Sequence, residues 1–338
     1  MSIVHMDGFD SYATDADLGM EYTISGTSFS TTGGRFGGGA FEVGGYSNFI
    51  TRALPSPLNE LWVGAAIMFV SGRSGTLFAF SSAAGLECEV TWGTDVNALA
   101  VYRGDFGTSL GTYAFTPSPT AWHWVEVHAK LSSSAGVFEV WIDGVQVMNL
   151  TGVNTAGAGG ATFNSVLFGS THGGNGPNTW YDDLYILDPN TAPNTGRLGD
   201  SKIETLKPNS DAGPNNGTPS SGTSHYAMVN ENQWSSANSL TLTNTDGQEE
   251  LFGMASLANV PANIWAVRVL GVAEKTDAGA CSLEPLVVSS GQEKDGTSTP
   301  LTTTYGHVTG IFQVDPNTSA AWTAAAVNAA KCGLKVST

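Results

Sequence analysis

The sequence predicts an all-β protein, in which an antiparallel sandwich is followed by a smaller, mostly-β domain with one short C-terminal helix. Apolar and polar residues alternate along most of the chain, glycine-rich or polar turns separate segments of strand length, and one segment alone has a helical composition. The 338 residues, 41% of them hydrophobic, are enough to bury the cores of one large or two ordinary domains. The 42 glycines follow no fixed period, which favours many short strands and excludes collagen.

Segment 122–149 gives the clearest strand signal. Residues alternate over 124–130 and again over 137–142. This alternation places one apolar set on a single side, which we expect to face the core: Val125, Val127, Phe138, Val140 and Ile142. The dipeptide Asp143-Gly144 is favoured in type I′ turns, so a return strand should begin at Val145.

The other segments of strand length divide the chain into two domains. The first domain, a β-sandwich over 1–190, has strands predicted at 5–12, 61–70, 76–81, 88–92, 98–102, 165–169 and 180–187. Residues 191–222 read as a linker with a connecting strand over 198–208. The small β domain covers 223–338, with strands predicted at 239–243, 249–253, 264–274, 281–288 and 304–314. Its alanine-rich segment 318–331 is predicted to be the short helix, capped by Thr318 or Ser319.

Three segments of the first half carry a resemblance: GGRFGGGAFEV, then AWHWVEVHAK with VFEVWIDGVQV, and finally SVLFGS with TWYDDLYILD. Together they resemble the concanavalin A-like jelly roll of laminin-G-type domains over residues 1–190. The resemblance implies that the first strand, 5–12, lies beside the last, 181–187. Lectins, glycosidases, adhesion modules and structural parts all use this fold, so it selects no function by itself.

The second half carries another resemblance. The segments LGDSKIETLKPNSD, YAMVNENQW and AAWTAAAVNAAKCGLKV resemble virion proteins of tailed bacteriophages, in which a laminin-G-like jelly roll precedes a small β domain. The resemblance implies a non-enzymatic structural component of a phage particle, a capsid- or tail-associated decoration or appendage protein that docks on other virion proteins. We expect a homo-oligomer that is located in the virion and is made and assembled in the host bacterial cytoplasm. The alternative is a carbohydrate-binding adhesion module that recognises a host surface.

Charge and hydropathy exclude two classes of partner. The 13 Lys and Arg residues against 30 Asp and Glu residues give a net charge of -17, which repels nucleic-acid phosphates and anionic membranes. No apolar run of 18 residues occurs, and the first residues lack the pattern of a secretion signal. We therefore expect no nucleic-acid binding and no membrane insertion.

Motifs that suggest catalysis lack the context that catalysis needs. The match to G-x-S-x-G around Ser109 is followed by TYAFTP, which favours a turn where a nucleophile elbow requires a helix. Glu139 and Asp143 lie four residues apart and do not form the Glu-x-Asp-x-x-Glu string of the jelly-roll glucanases. The six histidines form no HExxH motif. We expect no enzyme, no catalytic residues and no resident cofactor.

Calcium is the one metal that the sequence leaves open. Four carboxylates would converge if the first and last strands pair: Asp7, Asp10, Asp182 and Asp183. Hard oxygen ligands from loops and strand ends suit calcium. The alternative is that Asp182 and Asp183 bond turn backbones or face water.

Glycan binding is the other candidate role of the sandwich. Four aromatic residues lie at predicted strand ends, where a ring could stack on a sugar: Trp92, Tyr102, Trp180 and Tyr181. Asn175 and Asn178 could add amide hydrogen bonds. The alternative is that these aromatic rings pack inside the core, as most do in sandwiches.

Overall fold

The structure is a computed structural model, and it describes residues 2–26, 28–44, 47–71, 75–93, 97–170, 178–231 and 233–338. The chain forms two compact units, Met1–Ile203 and Glu204–Thr338. Helix α1, Asp15–Leu18, belongs to the first unit. The strands of the first unit, in chain order from β1 to β15, are Ile3–Asp7, Thr23–Ser25, Ser28–Ser30, Ala40–Val43, Phe49–Leu58, Glu60–Ser71, Gly75–Ser82, Gly85–Gly93, Ala98–Arg103, Thr108–Ala114, Trp122–Lys130, Gly136–Ile142, Val145–Val153, Phe163–Gly169 and Asn178–Leu187.

These strands form two antiparallel sheets. The larger has the order β13-β12-β11-β6-β15-β4-β3, with β1 also paired to β15, and the smaller has the order β10-β9-β8-β7-β14-β5-β2. The first unit is therefore a jelly-roll sandwich of the concanavalin A-like type, as predicted. The pairing of Asp7 with Leu184 confirms that the first and last strands are neighbours.

The core lies between the two sheets. The predicted core face of β11 and β12 is buried, with Val127, Phe138 and Val140 at 0% exposure. Phe138 of the larger sheet meets Phe80 of the smaller sheet at a ring distance of 5.8 Å. The turn at Asp143 and Gly144 has φ angles of 49° and 82°, as the two central residues of a type I′ turn require.

The second unit is a smaller, mostly-β unit. Its strands, β16 to β25, are Pro208–Asn215, Thr218–Pro219, Leu240–Thr241, Glu249–Met254, Val267–Ala273, Ser282–Ser289, Gln292–Asp295, Thr299–Pro300, Gly306–Phe312 and Lys331–Ser337. One sheet has the order β16-β19-β25-β21-β22 with β23 on β21, and β20-β24 and β17-β18 form two-stranded ribbons. A 3₁₀ turn, Tyr226–Met228, and helix α2, Ala324–Ala329, complete it.

The segment 191–222 differs from the predicted linker. Its residues up to Ile203 belong to the first unit, and those from Glu204 onward belong to the second. The connecting strand predicted over 198–208 is not formed, and the strand lies at Pro208–Asn215. Backbone amides of 198–208 are used differently: those of Gly199 and Ile203 donate to the carboxylates of Glu126 and Asp183.

Helix α2 is shorter than the predicted helix over 318–331. Its N-cap is Thr323, whose side chain accepts from the Ala326 amide at 3.1 Å. Thr318 and Ser319 do not cap it, because Asp315 holds both residues in a turn and Ser319 has a φ of 56°. Lys331 already begins β25. In the described parts of the chain, no helix has the length and apolar character needed to cross a membrane.

Candidate functional site on the outer face of the larger sheet

The side of the larger sheet that points away from the core carries an unusual set of aromatic and charged residues. We call it the outer face. Strand register places His128 of β11 beside Trp62 of β6, and Glu126 of β11 beside Trp141 of β12. These residues alternate with the buried core set, as the sequence pattern predicted.

Glu126 lies at the centre of the outer face and is 0% exposed. Its carboxylate accepts hydrogen bonds from the Tyr185 hydroxyl at 2.7 Å, from the Arg197 guanidinium at 2.7 Å and from the Gly199 amide at 2.8 Å. A buried carboxylate needs such donors, because burial without them costs several kcal/mol or more. Burial and the neighbouring Glu126 raise the pKa of Tyr185 well above its ordinary value, so Tyr185 stays a donor.

A glycine makes room for this arrangement. Gly64 of β6 is paired with both Glu126 and Tyr185, and a Cβ atom there would lie 2.2 Å from the Tyr185 ring. A side chain at this position would therefore push Tyr185 away from Glu126. The glycine has a packing role in the middle of a strand, where it would otherwise weaken the sheet.

The closing segment, residues 197–203, covers the centre of the outer face. The Arg197 guanidinium lies over the Trp141 ring at 4.3 Å, and Arg35 donates two hydrogen bonds to the Asp200 carboxylate at 2.8 and 2.9 Å. The Ile203 amide donates to Asp183 at 2.7 Å. Trp124 of β11 is 1% exposed, and the Arg35 guanidinium lies 5.8 Å from the centre of its ring. Residues of the closing segment therefore occupy the centre of the outer face.

Two adjacent carboxylates, Asp182 and Asp183, lie in a bulge of β15 beside the closing segment. Asp182 accepts from the amides of Arg35 and Asp183, each at 2.7 Å, and the Arg35 guanidinium lies 3.6 Å from Asp183. Burial and repulsion by Asp183 raise the pKa of Asp182 to about 8. Burial also raises the pKa of Asp183, to about 6, although the Ile203 amide and Arg35 oppose this rise.

The four predicted calcium ligands do not share one position. Asp7 accepts from the hydroxyls of Tyr12 and Tyr22 at 2.5 and 2.9 Å, and Asp10 accepts from the amide of Gly39. Asp10 is close enough to raise the pKa values of Asp182 and Asp183 by repulsion. Within the described ranges, no group of three or more His, Cys, Asp or Glu side chains is arranged to hold a metal ion.

The outer face is more open at one end, around His128. The two imidazole nitrogens lie 2.9 Å from the carboxylates of Glu60 and Glu139, and the ring stacks on Trp62 with the planes 4° apart. Lys130 contacts Glu60 at 3.1 Å and is 42% exposed. Gln146 donates to Glu139 at 3.1 Å. We call these residues the open end.

The four predicted glycan-binding aromatics are not brought to one surface. Trp92 and Tyr181 are core residues at 4% and 0% exposure, which corrects the expectation that they face a ligand. Trp92 packs on Phe69, and the Tyr181 hydroxyl donates to the Leu77 carbonyl. Tyr102 and Trp180 are half-buried on opposite sheets. Asn175 and the side chain of Asn178 lie outside the described residues.

The catalytic motifs are embedded in ordinary β structure. Ser109 lies on β10, an exposed edge strand, and no helix follows it. Glu139 contacts His128 and Gln146, whereas Asp143 accepts from the Trp124 amide in the hairpin turn at 2.9 Å. These two carboxylates therefore have separate structural partners.

Three residues important to the outer face gave no clear signal in the sequence: Glu126, Arg35 and Arg197. The alternation over 124–130 predicts that Glu126 faces away from the core, but its carboxylate is bonded by Arg197, which is 71 residues away. Arg35 reaches Asp182 across 147 residues. Local alternation carries no information on such distant partners, so the sequence alone did not reveal the closing segment.

Neither the protein-family models nor the curated proteins include a match to this chain. Among solved structures, the cellulose-induced protein Cip1 matches with a TM-score of 0.43 and 20% identity, over 58% of this chain and 100% of Cip1. The alginate lyase Aly36B matches with a TM-score of 0.35 and 16% identity, over 54% of this chain and 95% of the lyase. The carbohydrate-binding module CBM66 from Bacillus subtilis matches with a TM-score of 0.34 and 10% identity, over 50% and 96%. Such distant similarities transfer no function to this chain.

Proposed function

We propose that the protein is a non-enzymatic structural component of a phage particle, capsid- or tail-associated, which acts by docking on other virion proteins. The observation that supports this most is the closed centre of the outer face. The closing segment covers it, and Glu126 is fully buried there. Because its carboxylate is buried and already hydrogen-bonded to Tyr185, Arg197 and Gly199, Glu126 is not presented to a substrate at this face.

The electrostatics of the outer face also favour a scaffold. Glu126, Asp182 and Asp183 are each at most 4% exposed and bonded within the sandwich. Removing one partner from a buried charge typically costs about 3–5 kcal/mol, so the bonds of Glu126 and Asp183 to residues 197–203 hold the closing segment in place. A rigid surface of this kind suits a part that must keep one shape in an assembly.

The assignment to a phage particle rests on the sequence. The segments over 198–211, 226–234 and 320–336 resemble those of tailed-phage virion proteins in which a jelly roll precedes a small β domain. The net charge of -17 supports solubility of many copies before assembly.

The test is quantitative mass spectrometry of purified particles of the phage whose genome encodes the chain. We expect the protein at a fixed copy number per particle, retained after high-salt washing. Its absence from the particles would contradict the proposal.

The non-enzymatic part of the proposal is tested separately. The protein is incubated with bacterial polysaccharides and with alginate, and we expect no new sugar ends to form. Polysaccharide cleavage that Glu126→Gln abolishes would show that the outer face is catalytic.

Carbohydrate recognition is the second candidate, and the open end is the observation that favours it. Lys130, which is 42% exposed, and Gln146, which is half-buried, are polar groups able to form hydrogen bonds with a sugar. A bacterial glycan array tests this candidate with Lys130→Ala and Gln146→Ala, and with Thr31→Ala on the opposite lateral side as control. We expect the first two variants to lose binding and the control to retain it. No binding by the unmodified protein at high concentration would remove the candidate.

A further inference from the structure

One lateral side of the sandwich is bordered by two long edge strands, β13 and β10. Among the described residues, β13 pairs with β12 alone and β10 pairs with β9 alone. The two edges lie side by side, since a Cβ atom on Gly111 of β10 would be 3.2 Å from Leu150 of β13. The outward backbone groups of both strands can therefore accept a further strand.

These two edges lack the features that normally prevent strand addition. Edge strands are usually protected by charged side chains, proline or short length. β13 has nine residues, VQVMNLTGV, and β10 has seven, TSLGTYA, without a charged residue or proline in either. At the other side of the sandwich the sheets end in β2 and β3, with three residues each.

Exposed apolar side chains coincide with the same edges. The large hydrophobic residues that are exposed in the first unit include Val145 on β13, at 63%, and Tyr113 on β10, at 39%. Exposed apolar residues next to unpaired strand edges are typical of a surface that another chain covers.

We propose that this side of the sandwich is an interface with a second copy of the chain, in which β13 pairs antiparallel with β13 of the second copy. In a two-fold contact, β13 of one copy lies opposite β13 of the other, so any charge on this strand would face a like charge. β13 meets this requirement, because its exposed residues Asn149 and Thr151 are neutral and able to form hydrogen bonds. A neutral strip is where two copies of a chain with a net charge of -17 can approach.

The first experiment measures the mass of the full-length chain by sedimentation at concentrations from about 1 to about 100 μM, because association depends on concentration. We expect a monomer–dimer equilibrium. The variants Asn149→Lys/Thr151→Lys and Asn149→Glu/Thr151→Glu should each be monomeric, because like charges would face each other. A mixture of the two variants should recover the dimer. Thr31→Lys, on the opposite lateral side, is the control and should dimerise like the unmodified chain.

Each other outcome counts against the interface. A monomer at every concentration overturns it, and so does a dimer that persists in both charged variants. The mixture also guards against misfolding, since two unfolded variants would not recover a dimer of native melting temperature. Gln146 of the open end also lies on β13, but the test of the interface involves neither a sugar nor a particle and does not decide those roles.

Discussion

Val140 shows how completely the sandwich core excludes water. It lies on β12 at 0% exposure, between the two sheets. We expect Val140→Asp to lower the free energy of unfolding by about 3–5 kcal/mol, because it buries a carboxylate without a partner. The matched control is Val145→Asp on the neighbouring strand, where the side chain is 63% exposed and the change should be small. Urea unfolding measures both, and equal stability of the two variants would show that this face is not buried.

The pair Asp182 and Asp183 should make the stability of the first unit depend on pH. Their pKa values are raised from 3.8, to about 8 and about 6, so the folded chain binds protons that the unfolded chain has released. Their contribution is full below about pH 4 and is lost as the pH rises through about 8, with a size on the order of a few kcal/mol. We expect Asp182→Asn to remove most of this slope.

The measurement is the free energy of unfolding at several values between pH 4 and pH 8. Asp182→Asn also loses one accepted hydrogen bond, but that loss is the same at each pH and leaves the slope as the readout. Asp105→Asn, at an exposed carboxylate, is the matched control and should keep the slope of the unmodified protein. Parallel curves for Asp182→Asn and the unmodified protein would contradict the prediction.

These two sites differ in how far the sequence predicts them. The burial of Val140 follows from alternation over a few residues, so the pattern identified it. The environment of Asp182 depends on Arg35 and on the closing segment, both distant in sequence. The sequence predicted that Asp182 and Asp183 lie near the first strand, but not that the chain would bury them.

Among the elements, helix α2 shows where tertiary packing overrides local helix propensity. Its N-cap is Thr323, so Thr323→Ala should destabilise the second unit by about 1 kcal/mol. Ser319→Ala is the control, because Ser319 was predicted as a cap but lies outside the helix. Thermal unfolding of the full chain checks both. A larger loss for Ser319→Ala would show that the helix begins earlier.

Packing explains why the helix is shorter than its alanine content suggests. Trp322 is 3% exposed, donates its indole N–H to the Phe312 carbonyl at 2.8 Å and bridges to Ile264. These contacts require an extended backbone just before Thr323. Strand β16 shows the opposite case, since its polar sequence PNSDAGPN resembles a loop but pairs with β19. Composition alone could not predict either result.

At the scale of the whole molecule, each unit has its own hydrophobic core. The core of the sandwich is built from residues of the first unit, and the hydrophobic clusters described in the second unit are built from its own residues. Turn composition indicated that a boundary lies after the last sandwich strand. Turn composition could not place that boundary at Ile203, because the composition of residues 191–203 is typical of a loop. In the structure, Arg197, Gly199 and Ile203 donate hydrogen bonds to buried carboxylates of the sandwich.

The position of this boundary predicts the behaviour of fragments. Fragment 1–203 should unfold cooperatively, whereas fragment 1–190 should melt about 5–10 °C lower, because Glu126 loses Arg197 and Gly199, and Asp183 loses Ile203. Calorimetry of the two fragments measures this difference.

Glu126→Gln should change the stability of the two fragments in opposite directions. In fragment 1–190 it should recover part of the lost stability, because an uncharged side chain costs less free energy to bury without Arg197. In fragment 1–203 it should be destabilising, because glutamine pairs less well than glutamate with the Arg197 guanidinium. Equal melting temperatures of the two fragments would mean that the closing segment contributes nothing to the sandwich.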